Sequence, residues 1–187
     1  MKRFWLGFCA AAVLLVAAGV IVAFTGIINV AASVPHSALE RWYLTTTMTH
    51  SVRRRAADIA VPDRITDQDI RRGFAQYRDS CVYCHGAPGV DATDWAQALQ
   101  PEPPYLADAV PARQPAELFW IIRNGIKMTA MPAFGRHLND RDVWGVVGFI
   151  RLLPGMSDEA YARLAEEAER AAPAPDGTAP PARQPSN

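Results

Sequence analysis

An uncharged apolar run follows two basic residues at the start of the chain and extends from Phe4 to Val34. Its densest part, Phe4 to Ile28, is 25 residues long. At about 1.5 Å per helical residue, that length crosses a hydrocarbon core of about 30 Å. A cleaved signal peptide is the alternative, but the run is longer than the apolar core of such peptides. We therefore predict that residues 1–35 form a transmembrane anchor.

An amphipathic pattern with helical spacing follows over residues 36–61. Ser37 and Glu40 have the spacing of a capping box, which predicts that a helix begins here. Three apolar side chains share one face of this helix: Leu39, Trp42 and Tyr43. Because aromatic residues with a polar edge accumulate at membrane interfaces, we predict a helical stalk at the membrane surface. The basic run Arg53–Arg55 either meets lipid phosphates or lies in solvent at the helix end.

Two further apolar stripes with helical spacing lie in a compact region over residues 62–156. The first can be capped by Thr66 or Asp67, and the second by Asn139 or Asp140. The first stripe consists of Ile70, Phe74, Tyr77 and Cys81. The second consists of Val143, Trp144, Val147, Ile150 and Leu153, before Pro154-Gly155.

A third helix is predicted between the two stripes, over Ala116 to Arg123. Pro115 suits a first helical turn, and Asn124-Gly125 supplies a stop signal. Since no strand pattern rivals these helices, the predicted fold is all-α, with the transmembrane helix added at the N-terminus.

The charge balance of the chain excludes nucleic-acid binding. The 19 Lys and Arg residues equal the 19 Asp and Glu residues, so the chain has no overall basic field. Hydrophobic residues make up 50% of the chain and charged residues 20%, a composition typical of a folded protein. Residues 157–187 differ, because Ser157 to Ala171 is a short acidic helix candidate and residues 172–187 carry five prolines. We predict that this last segment is a disordered tail.

Cys81, Val82, Tyr83, Cys84 and His85 spell Cys-x-x-Cys-His, the attachment sequence of a c-type haem. Two thiols at this spacing can each add to a porphyrin vinyl group, and the next residue then presents an imidazole to the iron. A redox dithiol and half of a zinc site are the alternatives, but neither requires the adjoining histidine. We predict one covalent haem c, with Cys81 and Cys84 as its thioether attachments and His85 as an iron ligand.

The other axial ligand is predicted from the segment Gly125 to Phe134, which contains two methionines. A helix cannot continue through Pro132, so Met131 lies on an extended loop that can reach the iron. Met128 lacks this constraint and is the second candidate. An iron ligated by His85 and Met131 has no open position, and this ligand pair raises the reduction potential. Such a site transfers electrons.

Residues from about Ile65 to Pro154 resemble a class I cytochrome c, and residues 1 to 160 as a whole resemble membrane-anchored monohaem cytochromes of bacteria. The motifs that carry the resemblance are Gly73-Phe74-Ala75-Gln76-Tyr77, Cys81-Val82-Tyr83-Cys84-His85-Gly86, Met131-Pro132-Ala133-Phe134, Asn139-Asp140-Arg141-Asp142-Val143-Trp144 and Phe149-Ile150. The resemblance implies a small helical bundle around one covalent haem, in which the first and last helices cross beside it.

The resemblance also implies contacts around the haem. It pairs Gly73 with Phe149 at the helix crossing, and it assigns the partner of the His85 ring N–H to the carbonyl of Pro103 or Pro104. Three further residues can meet the haem propionates or instead serve the core and the solvated surface: Trp120, Arg123 and Lys127.

The leading functional hypothesis is an electron carrier rather than an enzyme. It shuttles single electrons between an electron-donating complex and a terminal oxidase or reductase. Because such haems are attached outside the cytoplasm, we expect an anchor in the inner membrane and a periplasmic haem domain. Residues 62–155 hold ten Lys and Arg residues and eleven Asp and Glu residues, which favours partner docking through apolar surface at the haem edge.

Two alternative functions remain open. The chain can be a fixed haem subunit of a larger oxidoreductase, with the membrane helix and the Ser157 to Ala171 helix as contact surfaces. It can also be a haem sensor or peroxidase if Met131 dissociates easily and leaves the iron open, with His137 as the candidate acid or base near the Met loop.

Overall fold

The computed structural model describes residues 1–171, and the tail predicted to be disordered, residues 172–187, lies outside the described part. The described residues form helices and no β-strand; an isolated bridge pairs Ala87 with Val90. The helices are α1 Lys2–Thr25, α2 Ala38–Ala56, α3 Asp67–Ser80, α4 Val82–His85, α5 Asp94–Gln97, α6 Leu106–Ala109, α7 Pro115–Asn124, α8 Asp140–Ile150 and α9 Asp158–Ala171. Single 3₁₀ turns follow at Val110–Ala112, Phe134–Arg136 and Leu153–Gly155. The predicted all-α class is confirmed.

Helix α1 is the one described helix that is long and apolar enough to cross a membrane. Its mean hydropathy over the best window is 2.7, and none of that window is buried among residues 1–171. A core helix of a soluble protein would be covered by its own fold, so this exposure is compatible with a membrane span or with a signal sequence.

Polar caps start α2, α3 and α8 where the sequence predicts them. Ser37 and Glu40 form the predicted capping box of α2, and Thr66 forms one with Asp69 at the start of α3. The Asn139 side chain accepts a hydrogen bond from the Asp142 amide and caps α8. Each cap satisfies an amide that has no partner within its helix.

The core lies where α3 crosses α8, and two glycines allow the close approach. A Cβ on Gly73 would overlap the Gly145 carbonyl and lie 2.6 Å from the Val146 backbone nitrogen. The residue nearest to Gly73 is therefore Gly145, whereas the resemblance paired Gly73 with Phe149. Phe149 lies one helical turn further along α8 and packs instead on Phe74, with ring centroids 5.0 Å apart.

Two helices outside the predicted 62–156 region pack against it. Tyr161 of α9 is only 4% exposed, and its ring meets that of Phe74 edge to face at 5.7 Å. The C-terminal half of α2 packs on α7, where Val52 and Ala56 are buried. The predicted stalk is therefore docked on the domain at one end.

Candidate functional site

The three predicted attachment residues come together on a single turn of backbone. Helix α3 ends at Ser80, and α4 begins directly after Cys81. The amides of Cys84 and His85 both donate to the Cys81 carbonyl, at 3.1 and 3.0 Å. The two thiols are free and partly buried, and the imidazole follows directly. This is the local geometry that two thioether bonds and one iron ligand need.

The environment of this turn keeps its groups uncharged. Burial raises the pKa of the Cys81 thiol to about 12, and the neighbouring Cys84 adds to the shift. Burial also raises the pKa of Cys84. For His85, burial lowers the pKa of the imidazole, against an opposing hydrogen bond with Pro104. The neutral imidazole is the form that binds a metal.

Pro104, not Pro103, orients the His85 ring. The His85 Nδ1 lies 2.8 Å from the Pro104 carbonyl oxygen. A carbonyl only accepts, so Nδ1 carries the proton and donates it, and Nε2 keeps its free lone pair. The ring is thus held in the tautomer that can ligate iron through Nε2.

A buried tyrosine, Tyr77, supports the same turn through a hydrogen bond that the sequence did not predict. The Tyr77 hydroxyl donates to the Gly86 carbonyl over 2.5 Å, and burial raises the pKa of this phenol. Gly86 has a positive φ of 62°, and a Cβ there would lie 2.8 Å from the Val90 carbonyl oxygen. Glycine directly after His85 was the signal, since the chain must turn sharply there.

The methionine loop is closed by hydrogen bonds across its base. The Ile126 amide donates to the Met131 carbonyl at 3.2 Å, and the Met131 amide donates to the Thr129 hydroxyl at 3.1 Å. Met131 is partly buried and packs against the core. Met128 has a positive φ of 63° and is 90% exposed. The two candidate methionines therefore have opposite environments.

The three residues predicted to meet the haem propionates have different surroundings. The Arg123 Nε lies 2.8 Å from an Asp140 carboxylate oxygen, which ties α7 to the start of α8. Lys127 is exposed, and Trp120 is partly buried. A propionate role for these three residues stays a prediction.

A cleft of about 460 Å³ opens beside the attachment turn. Cys84 and His85 line it together with Tyr105 and three carboxylates, and Met131 is not among its lining residues. A second cavity has a volume of about 510 Å³. It is lined by residues that follow Met131 in the sequence: Pro132, Ala133, Phe134, Arg136 and His137.

The donor set fits a covalently attached porphyrin better than a bare metal ion. Within residues 1–171 no three His, Cys, Asp or Glu side chains come together as a metal site. Two free thiols on one turn and an imidazole with a free Nε2 are instead what a haem with two vinyl groups requires. Cys81, Cys84 and His85 would hold it.

Comparison with known proteins gave one family match. Residues 68–150 match the family model described as "Cytochrome C oxidase, cbb3-type, subunit III". No curated protein matches the chain. The matched segment covers somewhat less than half of the chain, from the first turn of α3 to the end of α8. It includes the attachment turn and the methionine loop.

Proposed function

We propose that the chain is a membrane-tethered electron carrier of the c-type cytochrome class, because residues 68–150 match a cytochrome c family model, which implies covalent haem c and electron transfer. Its single haem is bound through Cys81 and Cys84, and its iron is ligated by His85 and Met131. The bound haem supplies a one-electron iron couple with no open coordination position. The chain's own residues attach, orient and shield it.

The 2.8 Å contact between His85 Nδ1 and the Pro104 carbonyl is the observation that carries the proposal. A histidine that only neighbours a redox dithiol, or that only fills the core, does not need its proton on Nδ1. Orientation of a ligating imidazole by a second hydrogen bond is instead the usual arrangement at metal sites. Tyr77 and Gly86 hold the turn that presents the ring.

The contrast between the two methionines supports Met131 as the other ligand. A thioether that packs against the core is shielded from water, and it can stay close to a haem seated there. Met128 is solvent-exposed, and ligation by it would require the loop to turn over. The hydrogen bonds at the base of the loop oppose such a change.

The tether in this proposal is α1, placed in the inner membrane with the haem domain in the periplasm. The apolar length of α1 and its complete exposure support the span. The side of the membrane follows from chemistry, because haem attachment to Cys-x-x-Cys-His takes place outside the cytoplasm.

The partners in this proposal are an electron-donating complex and a terminal oxidase or reductase. Tyr83 and Val90, beside the attachment turn, are 51% and 40% exposed and offer apolar docking surface. Asp91, Glu102 and Asp158 line the adjacent cleft and would favour a basic partner surface. The salt dependence of electron transfer separates these two modes of docking.

A fixed subunit of a larger oxidoreductase is the second candidate function. The family description, an oxidase subunit, favours it. Purification from native membranes in mild detergent decides between the two. A carrier elutes as the single 20.5 kDa chain with its detergent, whereas a subunit elutes with stoichiometric partner chains.

Optical spectra of the purified holoprotein test the iron ligands. We compare the wild type with Met131→Ala and with Met128→Ala, oxidised and reduced, with and without CO. The wild type and Met128→Ala should show the red absorption band of a ferric iron–methionine bond and should not bind CO. Met131→Ala should lose the band and bind CO.

The remaining outcomes contradict the proposal in different ways. Loss of the band in Met128→Ala alone would move the ligand to Met128. Rapid CO binding by the wild type would show an accessible iron and would favour a sensor or peroxidase.

A further inference from the structure

Helix α2 has a face that is fixed to the haem domain. Val52 and Ala56 are 1% and 4% exposed where α2 packs on α7. Beside them, the Arg53 Nε lies 3.3 Å from a Glu117 carboxylate oxygen. Glu117 is itself only 5% exposed and accepts a hydrogen bond from the Gln114 amide at the start of α7. A buried carboxylate that is tied to α7 and to Arg53 fixes α2 at this point.

Arg113 extends this contact by one turn towards the N-terminus of α2. Its Nη2 lies 3.5 Å from the Thr49 hydroxyl oxygen and 3.8 Å from the Met48 sulfur. Thr49 and Met48 precede Val52 by three and four positions and therefore share its side of the helix. The docked face thus covers at least two turns.

The N-terminal turns of α2 carry an apolar cluster that the described residues, 1–171, leave exposed. Leu39, Trp42 and Tyr43 are 72%, 63% and 61% exposed. At about 100° per residue, Leu39 and Tyr43 lie roughly 140° and 180° around the helix axis from Val52. Trp42 lies in line with Thr49, but about two turns nearer the N-terminus of α2. The apolar cluster and the docked face can therefore be covered at the same time by different surfaces.

The connection to α1 places this apolar cluster near the membrane. Helix α1 ends at Thr25 and α2 begins at Ala38, so even a fully extended connection spans only about 45 Å. The connecting residues 26–37 include no Asp, Glu, Lys or Arg. Ile27, Ile28 and Val30 within it are exposed. An uncharged, apolar connection lies naturally in the interfacial zone, where Trp and Tyr side chains are also favoured.

We infer that α2 is a bracket between the lipid bilayer and the haem domain. Leu39, Trp42 and Tyr43 insert at the headgroup level while the docked face stays on α7, and the haem domain is therefore held in one orientation to the membrane. A flexible tether would instead let it turn freely. The inference rests on the proposed span by α1, but not on the identity of the iron ligands.

The first experiment measures the depth of each face in a bilayer. The full haem-loaded chain carries Cys9→Ser and is reconstituted at one copy per phosphatidylethanolamine/phosphatidylglycerol nanodisc. A nitroxide is attached at Tyr43→Cys or, as the matched control, at Thr45→Cys, which is exposed on the same turn but lies about 160° away around the helix. Power saturation is measured with oxygen and with an aqueous nickel chelate.

We expect the ratio of oxygen to nickel accessibility to be several-fold higher at position 43 than at position 45. Equal, water-like ratios at both positions would overturn the inference. Strong protection at position 43 from both reagents would also overturn it, because it would indicate cover by protein. Carbonate extraction of the native membranes tests the α1 span separately, and a chain that extracts into water would remove the proposed tether itself.

The second experiment tests the fixed orientation. Linear dichroism of the haem bands is recorded in oriented bilayers for the wild type, Ala56→Arg and Arg53→Met, with Arg54→Ala as the exposed control. Wild type and control should show the same dichroism. In both docking variants, the difference between the measured dichroism and the isotropic value should be at least two-fold smaller. Unchanged absorption spectra and helical circular dichroism verify that the variants are folded. An isotropic wild type, or docking variants identical to it, would refute the bracket.

Discussion

Replacing Gly73 by alanine adds a single methyl group at the point where α3 and α8 are closest. The new Cβ would overlap the Gly145 carbonyl and lie 2.6 Å from the Val146 nitrogen. Both neighbours are helix backbone, so no side chain can rotate away. The two helices must separate, and the packing of Phe149 on Phe74 moves with them.

Two opposing terms set the size of the effect. Overpacking in a core costs about 1–3 kcal/mol, and a rigid backbone contact belongs at the upper end of that range. Alanine gains about 1 kcal/mol over glycine inside a helix. The net loss in the free energy of unfolding is therefore about 2 kcal/mol, which lowers Tm by roughly 8–16 °C in a domain of this size.

Thermal unfolding in detergent, followed by far-ultraviolet circular dichroism, measures this loss. Gly155→Ala is the matched control, because a Cβ there meets nothing within 4 Å, and its Tm should stay within about 2 °C of the wild type. Gly148→Ala should fall between the two, because its Cβ would meet only side-chain carbons of Ile65 and Ile70. A Gly73→Ala variant as stable as the wild type would show that the helices are not in backbone contact.

Three further predictions concern acid stability, α9 and docking. Hydrogen bonds lower the pKa of Asp69 from 3.8 to about 2, and the bond from Thr66 contributes more than the bond from Arg141. The contribution of Asp69 to stability is therefore complete above about pH 4 and is lost as the pH falls towards 2. Asp69→Asn should flatten the fall of the guanidinium midpoint over that range, whereas the exposed Asp67→Asn should leave the slope unchanged. Tyr161→Ala should lower the free energy of unfolding by about 3 kcal/mol, because the tyrosine ring is buried. A loss below about 0.5 kcal/mol in denaturant titration would show that α9 is not part of the core. Electron-transfer rates should change less than about three-fold between low and physiological salt if docking is apolar, while a steep fall would assign docking to the carboxylates of the cleft.

Local rules predicted the helix boundaries well, because caps and stop signals act within a few residues. Ser37 caps α2 as predicted, and of the paired candidates Thr66 caps α3 and Asn139 caps α8. Pro115 and Gly125 bracket α7 as expected, and Gly125 has the positive φ of a helix stop. The same reasoning missed the hydrogen bond from the Gln114 amide to the Glu117 carboxylate at the start of α7, because glutamine is not a usual cap.

Contacts between distant segments could not be predicted in this way. Gly73 has Gly145 as its neighbour rather than Phe149, because the contact depends on the crossing point of two helices. Asp69 accepts from Arg141 at 2.8 Å across the same crossing. Tyr77 meets the Gly86 carbonyl after a reversal of the chain. Each of these contacts depends on the relative position of elements that no local pattern encodes.

The sequence by itself predicted the haem-attachment residues and determined the order of the helices, since Cys-x-x-Cys-His, the caps and the apolar stripes are all local along the chain. Only the tertiary structure decided which proline carbonyl orients His85 and that α2 and α9 pack on the domain. Pro103 and Pro104 are equivalent as sequence, and their carbonyls differ only in where the folded chain directs them. Amphipathic helices likewise carry an apolar face in their sequence, but what covers that face is decided by where the rest of the chain lies.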